Sequence, residues 1–448
     1  MSRLRKRRAR RPPRLFLSGL VGYSTLSPVR FETLAEWLDW QEHLNPAGIE
    51  LGLERVRAVL EQLGHCHPPY AVITVGGTNG KGSSVALLES ILLAGGYRVG
   101  SYTSPHLLRY NERIRIQGNE IDDARLCAAF ERVDQARGEV PLTYFEFGTL
   151  AAIDLFSREG LDVAILEVGL GGRLDAVNVL DPDLALITSV GIDHQEWLGS
   201  DRESIGREKA GIFRSGRPAV CGDPDPPASL QEVAQQLGTP LYRAGIDFDF
   251  QGYADHWYWQ GAGVRRRELP WPSLQGDFQL HNAAAVLMGL HLLESRLPLD
   301  ETALRRGLAS VSLPGRFQVV PGSVNRILDV AHNPQAAAVL SEALAKEEPA
   351  GRTLAVVGML ADKAHEEVFR VLAPVIDFWY LADLLVPRGA TARQLRQGLA
   401  KVRDEAEVDD FPSVSAAYRR AMADARPGDR VVVFGSFHTV AEILPETL

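Results

Sequence analysis

A strand that runs straight into a glycine-rich turn and then a helix is the tightest constraint in this chain. Apolar Tyr70 to Val75 leads into Gly76-Gly77-Thr78-Asn79-Gly80-Lys81-Gly82-Ser83-Ser84, and helical apolar spacing follows. Glycines let backbone N–H groups converge on a polyanion, a helix N-terminus adds positive potential, and Lys81 supplies a point charge for the outer phosphates. Nucleotide chemistry is therefore the first hypothesis, with Gly77, Thr78, Asn79, Gly80, Lys81, Gly82 and Ser83 as the cradle. Two positions depart from the common phosphate loop. Val75 stands where its first glycine falls, and Gly82 where a Ser or Thr hydroxyl ordinarily holds magnesium. That hydroxyl must come from elsewhere in the chain.

With 448 residues, 45% of them apolar, the chain is long enough for two or three packed domains. No apolar run approaches the roughly 18 residues of a membrane-crossing helix, so no membrane partner is expected. Cys66, Cys127 and Cys221 are odd in number and far apart, which suits free thiols and a cytoplasmic location. His65-Cys66-His67 has metal-binding residue types but no second ligand pair, and reads as a loop. The net charge of −9 hides an asymmetry: eight Lys and Arg between Arg3 and Arg14 leave the remainder at −17. Such an acidic body argues against a nucleic-acid partner. Leu15 to Leu26 is interrupted by Ser18, Gly19, Gly22, Tyr23 and Ser24, so residues 1–29 read as a disordered basic extension rather than a signal peptide.

From residue 70 onward, short apolar runs alternate with helical patterns, the signature of parallel strands joined by crossover helices. Strands are expected at Tyr70 to Val75, Arg98 to Thr103, Asp162 to Val168 and Leu184 to Val190, with helices near Ser83 to Ala94, Phe147 to Phe156 and Arg202 to Ile212. Polar clusters follow these strands: Ser104-Pro105-His106, Glu167 with Gly169 to Arg173, and Gly191 to His194. Ligands of open parallel sheets bind outside the carboxyl ends of the strands, so these clusters and the phosphate loop are expected to share one crevice. Glu167, in a strand apolar on both faces, needs a cation beside it. Residues 245–275 read as β-hairpins, with Arg265-Arg266-Arg267 solvated. A helix follows over Leu280 to Ser295.

Leu313-Pro314-Gly315-Arg316-Phe317 then reads as an interdomain joint. Beyond it come strands at Arg326 to Val330, Thr353 to Val357, Phe378 to Leu381 and Arg430 to Phe434. Helices are expected over Gln335 to Lys346, Glu366 to Ile376 and Ala392 to Val402. Two α/β sheets across a Pro/Gly joint suggest hinge closure over substrates.

Six motifs now stand in order: Gly77 to Ser83, Thr103 to Leu107, Glu167 to Asp175, Asp193-His194, Glu208 to Gly211, and Asp329-Val330-Ala331-His332-Asn333-Pro334. Together they resemble the folylpolyglutamate synthases of the Mur ligase superfamily, in their bacterial bifunctional form, from about Leu51 to the last helix. The resemblance implies a P-loop ATPase domain with a mostly parallel sheet over residues 30–312. A smaller Rossmann-like α/β domain is implied over residues 313–448. It implies a cytoplasmic ATP-dependent ligase that joins L-glutamate to dihydropteroate and adds γ-linked glutamates to reduced folates through an acyl phosphate. It further implies two magnesium ions, an accessory potassium ion, and a monomer, since the whole site lies in one chain.

Residue by residue, the resemblance gives one magnesium to Ser104 and Glu167, which supplies the hydroxyl absent at Gly82. It gives the second to His194 and Lys209, the lysine being carbamylated and so converted from cation to oxygen ligand. Without the resemblance, Lys209 reads as a solvated helix residue and His194 as an ordinary histidine. Lys81, Lys209, His194 and Arg316 are the catalytic candidates, Arg316 reaching the phosphates on closure. Asn282 and Asp329 correspond to nucleotide contacts, while Asn333 is also a plain N-cap. Glu50-Leu51-Gly52, Thr143-Tyr144-Phe145-Glu146 and Leu174-Asp175-Ala176 correspond to the dihydropteroate site. Glu50 stands where the bacterial enzymes tend to have Asp, and Thr143 with Glu146 also fits a capping box. A peptidoglycan Mur ligase would share the loop and the lysine. A non-catalytic nucleotide-binding module would need neither Glu167, His194 nor Lys209.

Overall fold

The computed structural model describes residues 30–45, 50–347 and 351–447. The basic arm anticipated over residues 1–29 lies outside the described residues. The first sheet has eight strands: β1 (Ala71–Gly76), β2 (Val99–Tyr102), β3 (Ile114–Ile116), β4 (Asn119–Glu120), β5 (Val163–Glu167), β6 (Leu184–Ile187), β7 (Ala219–Cys221) and β8 (Leu241–Arg243), in the order β4-β3-β2-β5-β1-β6-β7-β8. From β2 to β8 every neighbour is parallel, while β3 and β4 add an antiparallel edge.

The apolar runs belong to a sheet covered on both faces. Alternate side chains point to opposite sides of a strand, so Ile73, Val75, Ile165 and Leu186 join one core while Val72, Leu166 and Ile187 join the other. Helices Lys81–Ala94, Phe278–Leu292 and Glu301–Ser310 cover the first face, and Asp123–Arg137 and Tyr144–Arg158 the second. The expected hairpins form a three-stranded antiparallel sheet of β9 (Phe248–Gly252), β10 (Trp257–Gly261) and β11 (Val264–Leu269). It is pinned to helix Phe278–Leu292 by Trp259 Nε1, which donates to the Ala284 carbonyl at 3.1 Å. Arg265 and Arg267 lie exposed on β11, as expected of a solvated run.

The second sheet contains β12 (Gln318–Val320), β13 (Asn325–Leu328), β14 (Thr353–Val357), β15 (Phe378–Ala382), β16 (Val408–Phe411) and β17 (Arg430–Phe434), ordered β12-β13-β17-β14-β15-β16. Only β12 runs antiparallel. Strands β12 and β16 and the helix Val414–Asp424 were not expected from the sequence. Both strands lie at sheet edges, and Val408-Asp409-Asp410-Phe411 carries too few apolar residues to announce itself. Helix Phe147 to Phe156 in fact begins at Tyr144, because Thr143 and Glu146 complete the capping box at Tyr144–Arg158. Helix Arg202 to Ile212 stops at Lys209 and tightens into a 3-10 turn over Ala210–Ile212. The three cysteines are free, and among the described residues no helix is long and apolar enough to cross a membrane.

Trp379 is fully buried in the second core, edge-on to Phe369 at 5.2 Å, and its indole N–H has no hydrogen-bond partner. Trp379→Ala is expected to cost about 3–5 kcal/mol of unfolding free energy. Trp379→Phe, which removes the unsatisfied donor and keeps a ring, should cost less than half of that; urea denaturation midpoints measure both.

Candidate active site

The strand order β2-β5-β1-β6 sets four carboxyl-terminal loops side by side, and these carry Ser104, Glu167, the phosphate loop and His194. The shared crevice anticipated from the sequence is therefore present. Its floor is the phosphate loop. Gly77 has φ 143° and Gly80 φ 87°, conformations that side chains strain to adopt, and a Cβ on Gly77 would sit 1.9 Å from Thr188 Oγ1. Thr188 uses that space to donate to the Gly76 carbonyl at 3.2 Å and the Asn79 carbonyl at 2.6 Å, stitching the loop to the end of β6. Lys81 folds back to donate to the carbonyls of Gly77 at 3.1 Å and Thr78 at 3.3 Å. The loop is thus held open by its own donors before any phosphate arrives. Gly82 leaves its place on the first turn of helix Lys81–Ala94 free, and the nearest atom a Cβ there would meet is Arg316 Nη2 at 3.6 Å. Asn282 lies against Gly80, with its amide donating to Gln279 Oε1 at 2.9 Å.

Glu167 ends β5 with 5% of its surface exposed, and accepts one hydrogen bond, from the Ser104 N–H at 3.2 Å. Burial raises its pKa, opposed by the Lys81 ammonium, the Ser104 amide and the guanidinium groups of Arg316 and Arg113. A buried carboxylate with free lone pairs beside a serine is chemically suited to a hard divalent cation, so the pair fits a magnesium ion. Lys209 is 4% exposed, not solvated as its residue type alone suggested. Gly172 explains why: a Cβ there would lie 2.9 Å from the carbonyl oxygens of Glu208 and Lys209, so only glycine lets this helix end pack under the β5 loop. Burial, reinforced by Lys81, lowers the Lys209 pKa to about 7, which makes a neutral, nucleophilic amine accessible near neutrality. His194 occupies a left-handed turn at φ 52°. Desolvation and the cations Lys363 and Lys81 keep its imidazole in the neutral, metal-ligating form, against the pull of Asp193. Among the described residues no three His, Cys, Asp or Glu side chains form a metal cluster, so an ion here needs the hydroxyl and the modified lysine as well.

The second domain closes one side of the crevice. Asn79 and Asn333 exchange amide hydrogen bonds at 3.2 and 3.1 Å, and Asn79 also donates to Gln335 Oε1 at 2.8 Å. Asp193 accepts from Lys363 Nζ at 2.8 Å and Asn333 Nδ2 at 3.3 Å, with His332 Nε2 at 3.6 Å. Despite burial, His332 and Lys363 hold the Asp193 carboxyl well below its usual range. Asn333 does cap its helix, accepting from the Ala336 N–H at 2.9 Å, and does more besides. Arg316 is half-buried over the Phe437 ring, 4.9 Å from its centre. Asp329 accepts from the N–H groups of Phe317 at 2.8 Å and Ala331 at 2.7 Å, fixing the joint that carries Arg316.

Along the opposite wall, the Phe145 ring packs so closely on Gly169 that a Cβ there would lie 2.7 Å from it, and it faces Tyr102 with ring centres 5.9 Å apart. Asp175 is buried and accepts from the N–H groups of Leu170 at 2.8 Å and Val177 at 3.1 Å, with its pKa raised by burial to about 6. Leu174 is partly and Ala176 fully buried beside it. Glu146 joins Arg55 at 2.9 Å, and Arg55 also grips Glu50 at 2.6 Å, so Glu50, ahead of Leu51 and Gly52, is tied to the Thr143 cap. Lys363, Gln335 and Thr188 were missed in the sequence. Thr188 was the most discoverable, as the polar residue directly after the apolar strand Leu184–Ile187.

Two family models match the chain: the Mur ligase middle domain over residues 75–288 and the Mur ligase glutamate ligase domain over residues 315–437. The dihydrofolate synthase/folylpolyglutamate synthase of Escherichia coli is 48% identical over 418 residues, covering 93% of this chain and 96% of the relative. The structure of E. coli FolC in complex with DHPP and ADP superimposes with a TM-score of 0.89 at 48% identity, covering 94% of this chain and 99% of that one. A bifunctional folylpolyglutamate synthase/dihydrofolate synthase with Mn, AMPPNP and L-glutamate bound gives 0.86 at 50% identity, covering 93% and 98%. With both domains matched and relatedness running nearly end to end, this chain belongs to the Mur ligase family, in its dihydrofolate synthase/folylpolyglutamate synthase branch.

Proposed function

We propose that this protein uses ATP to join L-glutamate to dihydropteroate and to extend the γ-glutamyl tails of reduced folates. The observation that carries this reading is convergence on one ammonium: Glu167, His194 and Lys209 all lie close enough to Lys81 for its charge to shift their titration. A nucleotide-binding module needs the loop but has no use for such a gathering. A peptidoglycan Mur ligase is disfavoured by the end-to-end likeness to folate enzymes.

The chemistry runs in two displacements. An oxygen of the substrate carboxylate attacks the γ-phosphorus of ATP, the β–γ bridge breaks, and ADP leaves an acyl phosphate. The α-amine of glutamate then attacks the acyl carbon, expels phosphate and loses a proton to give the amide. Lys81 and the loop N–H groups bind the phosphates, Arg316 approaches their outer oxygens from the joint, and the second domain excludes water. Asn282 and Asp329 are assigned to the nucleoside. Ser104 and Glu167 would hold one magnesium, and His194 with carbamylated Lys209 a second; potassium is the accessory cation. Such ions supply charge neutralisation for two anions forced together. Glu50 to Gly52, Thr143 to Glu146 and Leu174 to Ala176 are assigned to the pterin side. We further propose a domain boundary at 312/313, a monomer and a cytoplasmic location.

Purified protein given ATP, magnesium, glutamate and dihydropteroate should release ADP; release with a muropeptide precursor and none with pterins would sink the folate reading. Lys209→Ala is expected to lose turnover while ATP binding is largely retained, with partial rescue by short carboxylic acids. Unchanged turnover would remove Lys209 from the site. Gly77→Ala should weaken ATP binding by about 10- to 100-fold, the strain of a side chain at this φ being about 1–3 kcal/mol; calorimetric titration reads it directly.

A further inference from the structure

Three arginines are buried among the described residues: Arg113, Arg137 and Arg430. Arg137 pairs with Asp134 at 2.7 Å. Arg430 donates to Thr353 Oγ1 and to the carbonyls of Leu344 and Glu347. Arg113 differs from both. It ends the 3-10 turn Tyr110–Arg113 ahead of β3, and its Nε donates to the neutral imidazole of His106 at 2.9 Å. The Tyr102 hydroxyl, also neutral, is a further polar neighbour. The guanidinium carbon lies 5.0 Å from the centre of the Tyr110 ring and 5.5 Å from that of Tyr144. Among the described residues no carboxylate pairs with it, although Glu167 is near enough to feel its charge.

A buried cation without an anion is costly, and an arginine fork is built to take a carboxylate through two parallel N–H donors. The place is specific. Arg113 lies over the Tyr144 ring of the aromatic wall, whose Phe145 and Tyr102 face each other, and within charge range of Glu167 at the end of the strand that pairs with β1. An aryl carboxylate laid on that wall directs its charged end at the guanidinium. We propose that Arg113 binds the carboxylate of the aromatic acyl substrate, holding one oxygen in place for attack on the γ-phosphorus. The proposal rests on the folate-ligase reading. Charge is transferred nowhere in this step: the guanidinium binds the carboxylate before phosphorylation and adds no proton to it.

The test compares dihydropteroate with its carboxamide, which keeps shape and loses charge. Both are titrated calorimetrically into the full chain saturated with a non-hydrolysable ATP analogue. Wild type should favour the acid by about tenfold or more, as charge-assisted hydrogen bonds do. Arg113→Gln should bind acid and amide about equally while retaining wild-type nucleotide affinity. Should that variant fail to fold, Arg113→Lys serves: a point charge in place of the fork is expected to lower the preference several-fold. A variant whose preference for the acid equals that of wild type overturns the role of Arg113. A higher KM for glutamate with that preference intact overturns it too, reassigning the residue to the amino-acid substrate. Wild type that binds neither compound overturns the folate reading itself.

Discussion

One carboxylate holds the two halves of this protein in register. Asp193 stands at the end of the loop after β6, accepts from Lys363 and Asn333 of the second domain, and accepts from the N–H of His194 at 2.9 Å. One of the contacts that close the domains is thus one residue from a proposed metal ligand. Lys363 and Asp193 have 7% and 13% of their side chains exposed, so neither partner has water to fall back on if the other is lost. The domain interface and the geometry around His194 therefore stand or fall together.

A second constraint is the crowding of charge at the strand ends. Glu167, Lys81, Lys209 and Arg316 are each poor candidates for burial taken singly. Burial pushes the Glu167 carboxyl up while Lys81 and Arg316 pull it down, whereas on the amine of Lys209 burial and Lys81 act in the same downward direction. The fold holds polar groups prepared for anionic ligands, and the sheet core supplies the stability that tolerates them.

What the sequence disclosed follows from the range of the interactions. The phosphate loop was legible because strand, glycines and helix are contiguous, and the buried strands were legible because a sheet covered on both faces leaves no polar alternation. The crevice followed from strand ends and topology. The domain seam was not legible, since Asn79 meets Asn333 across 254 positions and Asp193 meets Lys363 across 170. The burial of Lys209 was hidden for a similar reason: it depends on Gly172, a distant glycine with no side chain to prop the helix away. Family motifs supplied the site candidates, but residue type alone gave Lys209 a solvated character that packing reverses.

The seam has an electrical character that its small size conceals. Asn79 and Asn333 exchange uncharged amide bonds, and two lysines of the second domain reach carboxylates of the first: Lys363 meets Asp193 in an enclosed pair, and Lys346 meets Asp277 in an exposed one. Mobile ions screen exposed charges and leave enclosed ones nearly untouched. Added salt therefore loosens the outer pair first and leaves the inner one engaged. Under the proposed function, a polyphosphate bound between Lys81 and Arg316 brings several negative charges to the first domain's side of that seam. The seam's response to the surrounding electrolyte is thus graded, set by how deeply each lysine lies.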